Sequence, residues 1–232
     1  MQKVGVVGGG LMGSGIAEVC ARAGLDVIVV ESTDAAAQAA KARMSKSLER
    51  SESKGRIESA AAVLENVRFE TELKAMADRQ LVIEAIVEDE EIKTQLFRDL
   101  DNIVTDPDAI LASNTSSIPI IKLAMATTRP HRVIGMHFFN PVPVLPLVEL
   151  VSTLETGDTV RSRAERFAEQ VLGKQVVHST DRAGFVVNAL LVPYLLSAIR
   201  MAESGAASPE DIDKAMVLGC AHPMGPLGLA DL

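Results

Sequence analysis

His137 and Glu149 stand twelve residues apart, and of the chain's side chains they are the pair best suited to moving a proton. An imidazole has an ordinary pKa of about 6.5, so at neutral pH it can take a proton and return it. A carboxylate bonded to the ring would orient it and stabilise the imidazolium that forms, as in a Ser-His-Asp arrangement without the serine. Such a pair suits the oxidation of a secondary alcohol, in which a base removes the hydroxyl proton as hydride leaves. His137 opens the segment HFFNPVP at the end of one expected strand, and Glu149 sits in the next, so adjacent strands could bring them together. A hydrogen-bonded polar residue at a strand end would look the same, so the spacing alone leaves both readings open.

A departing hydride needs an acceptor, and the chain's first thirty residues supply a place for one. Gly8, Gly10 and Gly13 form a GxGxxG motif, with Leu11 and Met12 in its second gap and Glu31 at the tip of the next apolar run. The first glycine permits a tight turn, the second lets a pyrophosphate reach the backbone, and the third lets helix and strand pack closely. The helix N-terminus offers amides and a partial positive charge to phosphates. Glu31 is placed to accept from the adenosine ribose hydroxyls. Its charge repels a 2′-phosphate, and Ser32-Thr33-Asp34 bring no arginine to offset this. The reading is NAD, with NADP less favoured.

The elements that must hold these residues alternate. Lys3–Val7 reads as a strand, the glycines lead into a helix that stops at Gly24, and Leu25–Val30 is a second strand, a βαβ unit of ordinary size. Thr33–Lys54 is free of Pro and Gly and reads as a long helix ending at Gly55. A hinge of mixed polarity runs to about residue 79. Strands follow at Gln80–Val87, Ala109–Ala112, Arg132–Met136 and Leu147–Ser152, with a helix at Glu90–Asp101 and a short one after the polar turn SNTSS. This alternation predicts a Rossmann-type, doubly wound parallel sheet with helices on both faces.

Near residue 183 the character changes. GFVVNALLVPYLLSAIRMAE is apolar nearly all round, which predicts a helix buried on several sides, and Ser208-Pro209 starts another. The expected division is a dinucleotide-binding domain over 1–183 and an all-α domain over 184–232.

With 23 basic and 31 acidic residues the net charge is −8, which argues against nucleic acid as a partner. No uninterrupted apolar run reaches the roughly 20 residues that cross a bilayer, and no leader with a cleavage site is evident, so the expectation is no membrane and a cytoplasmic protein. The two cysteines, Cys20 and Cys220, lack metal-ligand spacing, and no metal is expected.

GGGLMGSGIA, VIEAIVED, LASNTSS, HFFNPVPVLPLVE and the 184–203 segment, in that order, resemble the L-3-hydroxyacyl-CoA dehydrogenases of the short bacterial 3-hydroxybutyryl-CoA type, over essentially the whole chain. The resemblance implies that His137 is the catalytic base and Glu149 its partner. It implies that Ser116 and Asn188 hydrogen-bond the 3-oxygen and thioester region of an acyl-CoA substrate. Asn140 would help place nicotinamide and substrate. Ala85, Glu88 and Lys93 match cofactor contacts, and Ser47 and Lys54 match coenzyme A contacts. Lys54 also makes physical sense as a cation offered to the CoA phosphates by an acidic protein. A homodimer through the C-terminal domain is implied too. In similar enzymes the segment ending at Leu232 leads into further helices, so apolar surface on the 184–203 helix is expected where those would pack.

Other readings stay open beside these. Ser116 could cap a helix starting near Ile118, and Lys93 and Lys54 could be ordinary helix-surface residues. A related dehydrogenase of free hydroxy or sugar acids, or a non-catalytic NAD(H)-binding domain, would share much of the pattern. Chain-length preference and physiological direction are not encoded in the motifs.

Overall fold

β-branched runs bounded by glycines form the central layer. The structure is a computed structural model that describes residues 1–231, and it divides into two units, Met1–Ala183 and Gly184–Leu232.

In the first unit, β1 (Lys3–Val7), α1 (Leu11–Arg22), β2 (Asp26–Val30) and α2 (Asp34–Ser53) follow in order. Thr33 caps α2 by accepting from the Ala36 amide at 3.1 Å, and Gly55, at φ +64°, follows its end. Next come α3 (Ala60–Leu64), β3 (Val67–Glu70), β4 (Leu81–Glu84), α4 (Glu90–Ile103) and β5 (Ile110–Ser113). α5 (Ile120–Met125), β6 (Val133–Phe138), β7 (Leu147–Ser152), α6 (Asp158–Arg166) and β8 (Gln175–Thr180) complete the unit. The eight strands form one sheet in the order β3-β2-β1-β4-β5-β6-β7-β8. β1, β4, β5 and β6 are almost wholly buried, as expected of parallel strands covered on both faces. The direction of winding reverses between β1 and β4, which makes their carboxyl ends the topological switch point where ligands of such sheets bind.

The sheet departs from expectation in three places. It is mixed, because β7 runs antiparallel to β6. The stretch read as a hinge holds α3, a 3₁₀ turn at Leu73–Met76 and the edge strand β3. VRFE alternates buried and exposed, and four residues were too few for that period to stand out. α6 and β8 also went unread, since β8 (QVVHST) is polar on its outer face and lies at the other edge.

The second unit consists of α7 (Val187–Glu203), α8 (Pro209–Cys220) and α9 (Pro226–Ala230). Ser208 caps α8 by accepting from the Asp211 amide at 3.1 Å. The Asp213 carboxylate accepts from the Leu227 and Gly228 amides, both at 2.8 Å, and so fixes the start of α9. The burial expected of the apolar helix is not found. Of the residues of α7 only Ala198 is buried, while Leu190, Val192, Leu196 and Met201 are exposed. Within its unit α7 packs only on two shorter helices, which cannot cover an all-round apolar surface. Among the described residues no helix is long and apolar enough to cross a membrane.

Candidate active site

The turn from β1 into α1 is shaped by contacts that only glycine permits. Gly8 has φ +95°, and a Cβ there would lie 2.6 Å from the Ala85 carbonyl oxygen. A Cβ on Gly13 would lie 1.8 Å from the Gly8 carbonyl oxygen. A Cβ on Gly10, in contrast, would meet nothing within 4 Å. Gly8 and Gly13 therefore close the turn on itself, and Gly10 faces open space at the head of α1. Gly10 is the N-cap and no side chain caps the helix, so the first-turn amides carried by Leu11, Met12 and Gly13 are presented to that space. Leu11 is exposed and Met12 half-buried. This cradle fits a pyrophosphate.

Two substitutions separate fold from cofactor here. Gly13→Ala should lower the melting temperature, since overpacking against backbone costs about 1–3 kcal/mol or more. Gly10→Ala should leave the melting temperature unchanged yet weaken NADH binding at least about tenfold, because its methyl takes the room a phosphate needs. Thermal unfolding and NADH fluorescence titration of the two variants check this, and normal NADH binding by Gly10→Ala would show that the pyrophosphate lies elsewhere.

Glu31, just past β2, accepts the Gly9 amide at 2.6 Å through Oε1 and the Ser32 amide at 3.2 Å through Oε2. The Gly9 carbonyl is held as firmly: Arg43 Nη1 and the Ser14 hydroxyl each donate to it at 2.6 Å. Arg43 escaped the sequence reading. It lies ten residues past the α2 cap, and only the folding of α2 against the glycine turn brings it there.

At the carboxyl end of β4 lies a polar network that includes Glu88 and Lys93, the latter not on the helix surface. Lys93, on α4, is buried, with its ammonium 3.0 Å from Glu84 and 2.6 Å from Glu88. Glu88 in turn gathers the SNTSS loop. It accepts from the Thr115 hydroxyl, from the Ser116 and Ser117 amides at 3.1 and 3.2 Å, and from the Ser117 hydroxyl at 3.0 Å. Burial works to raise the Glu88 pKa, but Lys93 and these donors outweigh it and hold the carboxyl down at about 2. Ser116 is half-buried and is not a helix cap. α5 begins two residues later than expected, and the Asp181 carboxylate accepts from its Ile120 and Ile121 amides at 2.9 and 2.7 Å. Asp181 lies beyond β8, so no local sequence signal pointed to it.

His137 and Glu149 meet across the one antiparallel pair in the sheet. They are directly opposed in register between β6 and β7, and His137 Nδ1 lies 2.7 Å from Glu149 Oε2. Glu149 is fully buried and His137 nearly so. The Phe139 ring tilts against the imidazole at 4.5 Å between centroids. Asn114 Oδ1 accepts the Phe138 amide at 2.8 Å, tying the loop that carries Ser116 to the strand that carries His137. The polypeptide after His137 returns to the cofactor helix, where a Cβ on Gly15 would lie 2.9 Å from Val142 Cβ. Asn140, exposed, precedes a cis bond to Pro141 on that return. Lys174 steadies the return by donating to the Val142 and Leu145 carbonyls at 2.6 and 2.7 Å.

Ser47 is half-buried on α2 beside Glu18, and Lys54 is the exposed C-cap of that helix. Ala85 bonds its amide to the Val7 carbonyl at 2.8 Å, and its own carbonyl abuts Gly8. Asn188 lies in the second unit, at the start of α7, and is half-buried rather than enclosed. Among the described residues no cluster of His, Cys, Asp and Glu could hold a metal.

Comparison with known proteins assigns both units. Residues 3–182 match the family model for the 3-hydroxyacyl-CoA dehydrogenase NAD binding domain, and residues 184–232 match that for the 3-hydroxyacyl-CoA dehydrogenase C-terminal domain. A 3-hydroxybutyryl-CoA dehydrogenase of Mycobacterium tuberculosis is 62% identical over 234 residues, covering all of this chain and 82% of the relative. The mitochondrial hydroxyacyl-coenzyme A dehydrogenase of Homo sapiens is 43% identical over 239 residues, covering all of this chain and 76% of the relative. The crystal structure of (S)-3-hydroxybutyryl-CoA dehydrogenase from Ralstonia eutropha superposes with a TM-score of 0.95 at 44% identity, covering all of this chain and 82% of that one.

Proposed function

The chain belongs to the 3-hydroxyacyl-CoA dehydrogenase family, an NAD-dependent oxidoreductase family, and from that premise we propose that it interconverts L-3-hydroxyacyl-CoA and 3-oxoacyl-CoA, with 3-hydroxybutyryl-CoA and acetoacetyl-CoA as its short-chain pair. The observation that carries the reading is the buried His137–Glu149 contact at 2.7 Å, at the carboxyl end of β6.

NAD supplies the hydride acceptor, and this chain's residues do the rest. Gly10 and the head of α1 take the pyrophosphate, and Glu31 takes the adenosine ribose. With adenosine at the end of β2 and the pyrophosphate at α1, the nicotinamide half extends over β4 and β5 toward His137. Glu149 accepts from Nδ1–H and so fixes the tautomer in which Nε2 takes the hydroxyl proton. The carboxylate then faces the imidazolium as it forms. Run backwards, the imidazolium returns the proton to the 3-oxygen as hydride arrives. The Ser116 hydroxyl donates to that oxygen, on a loop tethered at both ends by Glu88 and Asn114. By family resemblance Asn188 is assigned, with Ser116, to the 3-oxygen and thioester region, Ser47 and Lys54 to coenzyme A, Asn140 to nicotinamide and substrate, and Ala85, Glu88 and Lys93 to the cofactor. So too is a homodimer through the second unit.

The test is a spectrophotometric assay with acetoacetyl-CoA and NADH, run in parallel with NADPH. Steady NADH consumption is expected, with NADPH used at least about tenfold less well because Glu31 repels its extra phosphate. Failure to turn over any 3-oxoacyl-CoA would sink the proposal. Turnover of free 3-oxo acids that is indifferent to added CoA would assign the chain to a hydroxy-acid dehydrogenase instead.

A further inference from the structure

Glu84 ends β4 with its carboxylate completely buried, and the sequence reading passed over it as part of an apolar strand. Burying a carboxylate is costly unless it is paired and hydrogen-bonded. Glu84 is both. Oε1 accepts from Lys93 at 3.0 Å and from the Ile86 amide at 2.8 Å, and Oε2 accepts from the Ser113 hydroxyl at 2.5 Å.

Two of these contacts, to Lys93 and to Ser113, lead to the same short loop. Lys93 passes from Glu84 to Glu88 at 2.6 Å, and Glu88 accepts the Ser116 amide. The Ser113 hydroxyl, having donated to Glu84, accepts the Thr115 amide at 3.1 Å. The loop between β5 and α5 is thus held from both sides of Ser116, and both holds converge on one carboxylate. Pairing Lys93 does not require this arrangement, because Glu88 already lies closer to it.

We propose that Glu84 is a positioning residue for the reaction: through Lys93–Glu88 on one side and Ser113 on the other, it fixes the Ser116 hydroxyl where the substrate oxygen is bound. This rests on the reading of Ser116 as a substrate contact. Glu84 touches neither substrate nor cofactor and acts only through the loop.

The experiment is a double-mutant cycle with the full chain, using acetoacetyl-CoA and NADH. Glu84→Gln keeps the shape of the side chain, while its amide cannot accept from the Ser113 hydroxyl and from Lys93 at once. It should lower kcat about 10–100-fold, with a smaller change in NADH affinity by fluorescence titration, since Lys93 and Glu88 also border the cofactor. In a Ser116→Ala background the same change should cost less than about threefold, because no hydroxyl is left to position. Ser113→Ala, which cuts one hold and leaves the charges intact, should follow the same pattern with a smaller loss and serves if Glu84→Gln does not fold. An undiminished Glu84→Gln effect in the Ser116→Ala background, or wild-type kcat in Glu84→Gln, overturns the proposal. Wild-type kcat in Ser116→Ala alone overturns the underlying reading of Ser116 as well, so the two failures are distinguishable.

Discussion

His137→Gln should fold normally and bind NADH with unchanged affinity, yet reduce acetoacetyl-CoA about 10²–10⁴-fold more slowly than the parent chain, the range by which a positioned general acid–base contributes. Gln fills a similar volume and can still meet Glu149 through its amide, so the side-chain pair across β6 and β7 stays packed. What it cannot do is carry a proton at neutral pH. Circular dichroism and NADH titration establish that the variant is intact, and kcat then isolates the lost step. Turnover near the parent rate would remove His137 from the chemistry and with it the core of the proposed mechanism.

Glu149→Gln is expected to be nearly as damaging to kcat, about 10²-fold or more, though Glu149 never meets the substrate. It loses two things at once. A primary amide can donate to Nδ1, which favours the wrong tautomer and turns the lone pair away from the reacting oxygen. It also brings no charge to face the imidazolium. Because both effects run through His137, adding Glu149→Gln to His137→Gln should cost almost nothing further, the strong non-additivity of groups that act as one unit. Independent, multiplicative losses would instead mean that Glu149 has a separate task. Glu149 is fully buried, so melting curves must accompany the kinetics. A stability loss of about 1–3 kcal/mol from an imperfectly satisfied buried amide is compatible with the mechanism, while complete unfolding is not.

The sequence was most legible where one local pattern sufficed. Buried strands announce themselves as β-branched runs, and β1, β2, β4, β5 and β6 were all read within a few residues of their bounds. The glycine turn was readable because each glycine has a steric reason that can be stated without knowing the neighbours. Both sheet edges were missed, since β3 and β8 are partly solvent-facing and lack the apolar run that identifies a central strand. The reversal at β7 was also invisible, because a short apolar run such as LVELVS, buried on both faces, can pair in either direction. Within the site, motif residues could be named while their partners could not. Lys93 carries the periodicity of a surface helix residue, and only the tertiary placement of Glu84 beneath it reveals a buried cation. Arg43 and Asp181 are the clearest cases. Each stabilises a functional turn from a distant element, and nothing within ten residues of either advertises the role.

The grip on Gly9 bears on any attempt to redesign this chain for a different redox currency. The simplest plan would exchange Glu31 for a neutral or basic residue and leave the scaffold alone. Here the same carboxylate proposed to discourage a 2′-phosphate also receives the Gly9 amide at 2.6 Å, while Arg43 and Ser14 hold the other side of that residue. Selectivity and scaffold are therefore not separate modules. Exchanging the acid alone removes an acceptor from the turn, and the redesigned protein would pay in affinity for either nucleotide. A workable design supplies a new acceptor for Gly9 in the same step, and recruits Arg43 as a cation already standing beside the turn.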